Sequence, residues 1–267
     1  MKIVWDQTGD RKYETGVDHG VLYLFNISTS AYDSGVAWNG LTSVSETPSG
    51  AESNPQYADN IKYLDLYSAE EFGATIECFT YPDEWMQCDG SEVPVAGVNI
   101  YQQSRKTFGL CYRTNIGNDV TPDLGYKLHL VYGCKASPSE RSYTTVNDSP
   151  EPLSFSYEVT TTPVEVAGYK PTSIITIDST KVDSTKLGEL EDILYGTDGT
   201  VSYSVFSGST FESGVDYYER SGSTGSYVYT KTTDTTPEAG KTYYTKTETG
   251  GTAARLPLPA EVMSKLS

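Results

Sequence analysis

The chain has 267 residues, 22 of them tyrosine, and a formal net charge of -17 at pH 7. This length buries roughly three-quarters of the unfolded surface, so no disulfide staple is needed. The acidic balance, with no Lys/Arg cluster, excludes tight nucleic-acid binding, which needs a basic face. Tyr, Thr and Val favour pleated, half-buried surfaces, while Leu and Met are sparse, so the composition points to a mainly β protein.

The predicted elements are short strands bounded by turn residues. "KIVW" (2–5) is the first and "VLYLFN" (21–26) the second. "GVAWNGLTSVSET" (35–47) is one long strand or a hairpin about Asn39-Gly40, a pair suited to a two-residue turn. "SAEEF" (68–72) fits a short helix capped by Ser68, with Glu71 closing a capping box. Strands follow over 73–81, 105–114, 125–137, 153–166 and 171–179. In "YKLHLVYG", Tyr126, Leu128, Leu130 and Tyr132 share one face, with Lys127 and His129 on the other. Leu153, Phe155, Tyr157 and Val159 likewise share a face. Such alternation predicts a sheet with one buried and one wet side, and places His129 on the surface or at an interface.

One stronger helix is predicted over 184–195. Asp183 or Ser184 caps it, Leu187, Leu190, Ile193 and Leu194 form its apolar stripe, and Gly196 ends it. From about Thr200 to Thr252 the chain turns to Ser, Thr, Gly and Tyr. Within it "FESGVDYYER" (211–220) matches "PEAGKTYYTK" (237–246), each copy reading as a turn at Gly followed by a strand. The expected organisation is a β domain of residues 1–199 plus 254–267, with residues 200–253 inserted as a small β-hairpin module.

Candidate chemistry is thin. Asp18-His19 lies between Gly16 and Gly20, which indicates a turn, and neighbours on an extended strand make a poor catalytic dyad. Asp83 and Glu84 in "YPDEW" stand beside Tyr81 and Trp85, a carboxylate pair next to sugar-stacking rings. A turn with a packed Trp explains the same residues. Cys78, Cys88, Cys111 and Cys134 form no CxxC pair and are expected to be buried, reduced thiols in a cytoplasmically made protein. Asp6 and Asp10 break any secretory h-region, and no apolar run reaches the roughly 20 residues of a membrane span. No catalytic, cofactor-binding or metal-binding residue is expected, and the chain reads as no enzyme.

The stretches "GDRKYETGVDHGVLY", "GVAWNGLTSVSETPSGAE", "PQYADNIKYLDLYSAEEFGATIECFTYPDE", "FGLCYRT", "YKLHLVYGCKASPSERSYTTVNDSPE" and "LEDILYGTDG" occur in this order. They resemble the major tail tube proteins of long-tailed bacteriophages with non-contractile tails, over roughly 1–199 and 254–265. The segment 200–253 departs from that pattern. The resemblance implies a β-sandwich or barrel-like tail tube fold with one flanking helix and extended N-terminal and loop arms. It implies hexameric rings stacked into a hollow tube, with tape-measure, tail terminator and tail-tip proteins as partners and no membrane. Double-stranded DNA would pass the lumen without specific binding, and the protein, made in the host bacterial cytoplasm, would reside in the virion. Asp18-His19 would then be a loop or turn feature at a subunit or ring contact, many of the 36 acids would line the channel, and 200–253 would lie on the outer surface as decoration or as a weak attachment to a cell-surface glycan. The alternative is a carbohydrate- or cell-surface-binding β-sandwich using Trp85 and the Tyr-rich repeat; a carboxylate hydrolase is a third reading.

Overall fold

The computed structural model describes residues 2–146, 148, 151–224 and 226–267. Asn147, Ser149 and Pro150, within one of the stretches that carry the resemblance, lie outside them. The chain divides into two compact units, Met1–Tyr195 with Ala253–Ser267, and Gly196–Thr252.

The first unit opens with β1 (Tyr13–Asn26), β2 (Ala31–Tyr32), β3 (Val36–Ala37) and β4 (Leu41–Glu46). Then come β5 (Ser49–Gly50), β6 (Ser53–Ala58), β7 (Ile61–Tyr67), β8 (Glu70–Glu71) and β9 (Gly73–Cys78). The one-turn helix α1 (Trp85–Cys88), β10 (Ser91–Val95), β11 (Val98–Tyr101) and the long strands β12 (Phe108–Gly117) and β13 (Gly125–Ala136) follow. β14 (Phe155–Thr161), β15 (Ile174–Asp178), helix α2 (Ser184–Tyr195) and the C-terminal helix α3 (Pro259–Leu266) complete it.

The protein is mainly β, and nine of these strands form one antiparallel sheet. Its main path runs β2-β1-β12-β13-β14-β9-β4, with β15 paired to β13 and β3 to β1. The sheet curls, so that β4 lies against β1 and the Trp38 N–H donates to the Gly20 carbonyl at 2.7 Å.

Alternation along the central strands sends side chains into two cores. Leu22, Ile76, Phe108, Leu110, Tyr112, Val131 and Tyr157 fill the inside of the curl. Val21, Tyr23, Cys111, Leu128, Leu130 and Tyr132 face outward, where Leu187, Leu190 and Leu194 of α2 and Val262 of α3 cover them. The expected wet side is therefore covered over the central strands. Gly133, at φ 61, carries the bulge at which β13 changes partner, from β15 over Lys127–Val131 to β14 over Cys134–Ala136.

Asp183 caps α2, its Oδ1 accepting from the N–H groups of Thr185 at 3.0 Å and Lys186 at 3.2 Å. Tyr23 and Tyr126 tie the helix to the sheet, donating to the Leu194 carbonyl at 2.6 Å and to Glu191 at 2.7 Å.

Several local expectations are corrected. Residues 2–5 form no strand; Ile3, Val4 and Trp5 are exposed. Residues 70–71 pair with 49–50 as a short strand instead of continuing a helix from Ser68. Asn39-Gly40 is a turn, but β3 before it pairs with β1 and β4 after it pairs with β9, so no hairpin forms. Only Gly40 of that pair has positive φ, whereas a type I′ turn needs both. Among the described residues two further helices, α1 and α3, join the expected α2.

The second unit holds β16 (Thr200–Val205), β17 (Tyr217–Ser221), β18 (Val228–Lys231) and β19 (Tyr243–Thr249) in a sheet of order β16-β19-β17-β18. It is a four-stranded sheet, larger than the expected hairpin. Thr197 and Thr252 close its base with two backbone hydrogen bonds of 2.9 and 3.1 Å.

Candidate assembly surface

Among the described residues β6 and β7 pair only with each other, as a two-stranded sheet separate from the large one. Asp59 and Asn60 turn the chain, both at positive φ, as a two-residue type I′ turn demands. Ile61, Tyr63 and Tyr67 alternate along one face of β7, and Leu64 and Leu66 along the other. None is buried: Tyr63 is 68% exposed and Leu66 54%. A lone two-stranded ribbon is marginal in water, and this one leaves apolar side chains exposed on both of its faces. The β10–β11 hairpin repeats the pattern, with Val93, Val95, Val98, Ile100 and Tyr101 exposed and Gly97 at φ 81 in its turn. Both hairpins escape a search for long apolar runs. The signals that reveal them are the Asp-Asn and Ala-Gly pairs between alternating residues.

The second hairpin is anchored at its base by an ionic clamp. Asp89, nine-tenths buried, is paired with Arg141 and lies 3.8 Å from Arg105 Nη1. Arg141 also lies over the rings of Tyr81 and Tyr101 at 5.7 and 5.8 Å.

Asp18 and His19 sit inside β1 rather than in a turn, between two register shifts in its pairing with β12. His19 has φ 50, which brings its Nδ1 to 2.8 Å from Asp18 Oδ1. The bulge thus joins neighbours that a regular strand would separate. Arg113 donates to both Asp18 oxygens, at 2.8 and 3.2 Å. Burial opposes ionisation of Asp18, but hydrogen bonds from Arg113 and His19 outweigh it and hold its carboxyl below the usual carboxylate range. The group is a cross-strand lock.

His129 is buried within the chain, a correction to the surface or interface position expected for it, because the Tyr112 ring of β12 and Glu46 of β4 pack on its side of β13. It stacks on Tyr112 with centroids 4.6 Å apart, and its Nε2 is 3.0 Å from Thr114 Oγ1. Glu46 lies 3.3 Å from its Nδ1 and accepts from the Tyr112 hydroxyl at 2.6 Å. Burial pushes the imidazole pKa down, and the attraction of Glu46 recovers only part of the shift.

Trp85 is fully buried against Trp38, Phe108 and Tyr157, at 4.7, 5.1 and 4.8 Å between ring centroids. It is not available to stack on a sugar. Asp83 and Glu84 belong to the turn leading into α1, where the Asp83 carbonyl accepts from the Met86 N–H at 3.2 Å. The four cysteines are buried and unpaired, and burial pushes the thiols of Cys88 and Cys111 up to about 12. Such thiols are poor nucleophiles.

No family model matches the chain, and the search of curated proteins returns no match.

Proposed function

We propose that this chain is a structural subunit that assembles with copies of itself into stacked hexameric rings. These would form the hollow tail tube of a bacteriophage with a non-contractile tail. The observation that carries the reading is the β6–β7 hairpin, which exposes apolar side chains on both faces and pairs with nothing else among the described residues. A partner that covers it supplies the burial that the lone ribbon lacks. The order of the sequence stretches named above supports the same reading.

In this reading Asp18 and His19 lie near a contact between subunits, and the tape-measure, terminator and tail-tip proteins complete the tail. The wall facing the DNA is acidic, so phosphates are repelled and the duplex slides. The unit Gly196–Thr252 faces outward.

Negative-stain electron microscopy of the concentrated protein tests the proposal. Rings or hollow tubes with six-fold end views are expected, with Leu64→Asp/Leu66→Asp abolishing them while the subunit stays folded. Single subunits alone, even after tape-measure and tail-tip proteins are added, would refute it. A map with a net basic lumen would refute the role given to the acids.

A further inference from the structure

The second unit has an internal two-fold relation. The matching stretches start at 211 and 237, an offset of 26 residues, and each hydrogen bond of the first turn recurs in the second. The Tyr217 hydroxyl accepts from the Glu212 N–H at 2.9 Å, and the Tyr243 hydroxyl from the Glu238 N–H at 3.2 Å. The Glu212 and Glu238 carbonyls accept from Val215 and Lys241, both at 3.3 Å. Gly214 and Gly240 have φ 85 and 90.

The relation extends to pairings that the sequence does not reveal. Copy one contributes β16 and β17, and copy two contributes β18 and β19. Neither copy pairs its own two strands: β16 pairs with β19 of the other copy, and β18 with β17. Val205 lies opposite Tyr244, and the residues 26 positions away, Lys231 and Tyr218, are likewise opposite. In the centre Tyr217 faces Thr245, Tyr218 faces Tyr244 and Glu219 faces Tyr243. Exchanging the copies maps this register onto itself, with the axis through the Tyr218–Tyr244 pair. The rings obey it too. Tyr203 stacks on its equivalent Tyr229 at 3.8 Å, and the edge contacts Tyr203–Tyr218 and Tyr229–Tyr244 measure 5.3 and 5.2 Å.

One copy alone would leave both of its strands without ladder partners, a template for another chain. We infer that each copy is an interlocking half whose partner surface fits a second copy, and that a chain carrying one copy would close the same sheet with a second copy of this chain. In the present chain the tandem duplication closes the clasp internally. The inference rests on the symmetry of this sheet and not on the tube reading.

The test uses the full chain with residues 222–247 deleted, which removes one period. In that chain Tyr218 faces Tyr218 of a second molecule, so a single Tyr218→Cys substitution places two thiols opposite each other across the strands. The native cysteines are buried and do not compete. After oxidation with copper phenanthroline, a non-reducing denaturing gel should show a shift to twice the chain mass. A Ser204→Cys control in the same deletion, whose equivalent pairing faces Glu219, should not shift. In the undeleted chain, Tyr218→Cys/Tyr244→Cys should close within one molecule and remain at monomer mass. A deletion variant that stays monomeric overturns the inference, as does equal crosslinking at Ser204→Cys. Failure of the undeleted double variant to close overturns the register on which it rests.

Discussion

The two units solve the same problem with different materials. The first buries Leu, Ile, Val and Trp on both sides of a curled sheet. The second has few aliphatic residues and packs Phe206, Phe211, Tyr217 and Tyr243 together instead, with centroid distances of 4.0 Å for Phe211–Tyr217 and 4.9 Å for Phe211–Tyr243. Tyrosine brings comparable area but also a hydroxyl that costs free energy when it is buried without a hydrogen bond. That requirement fixes where the backbone of each turn lies, because Tyr217 and Tyr243 both need the N–H of a glutamate five residues earlier. Aliphatic packing tolerates varied partners; tyrosine packing repeats the same geometry.

The contrast can be broken hardest in the first unit. Trp85→Ala removes a fully buried ring that touches three others and should cost about 3–5 kcal/mol, read from the denaturant midpoint. Gly133→Ala comes next. A Cβ there would lie 2.2 Å from the Thr162 carbonyl at a φ that L residues avoid, so a loss of more than about 1 kcal/mol is expected.

In the second unit, Tyr217→Phe and Tyr243→Phe each leave a glutamate N–H without its acceptor, at about 1 kcal/mol apiece. Tyr243→Phe should be the costlier, since its hydroxyl also donates to Asp234 at 2.5 Å. Equal losses would mean that the Asp234 bond contributes nothing.

The smallest effect is that of pH. His129 has a lowered folded pKa, so the unfolded chain binds its proton first. The stabilisation is complete above the ordinary histidine value of about 6.5 and is lost as pH falls from there through the folded value. Melting temperature should therefore decline below about pH 6.5, and His129→Gln should flatten that decline.

What could be read in the sequence follows from how local each cause is. Helix α2 was legible because its cap, stripe and terminal glycine all lie within it. The alternation of β13 was legible through Tyr132, but the burial of His129 was not, since β4, far away in the chain, brings Glu46 beside it. Asp18 and His19 read as a turn because Gly16 and Gly20 flank them; the strand absorbs them as bulges through pairing with Arg113. Helix α3 carries local signs of its own, with Pro259 in its first turn, Glu261 near its start and Lys265 near its end. The hairpin of residues 53–67 stayed hidden because it has no apolar face against a core, and hydrophobic periodicity reports only what a chain buries within itself.

The bridge between Thr197 and Thr252 sets the two ends of the second unit side by side. A segment whose two ends lie that close can be exchanged for another with the same spacing. The same gap should accept a foreign domain whose termini lie equally close, such as an epitope hairpin or a small enzyme. That would turn this position into a display site carried once per chain.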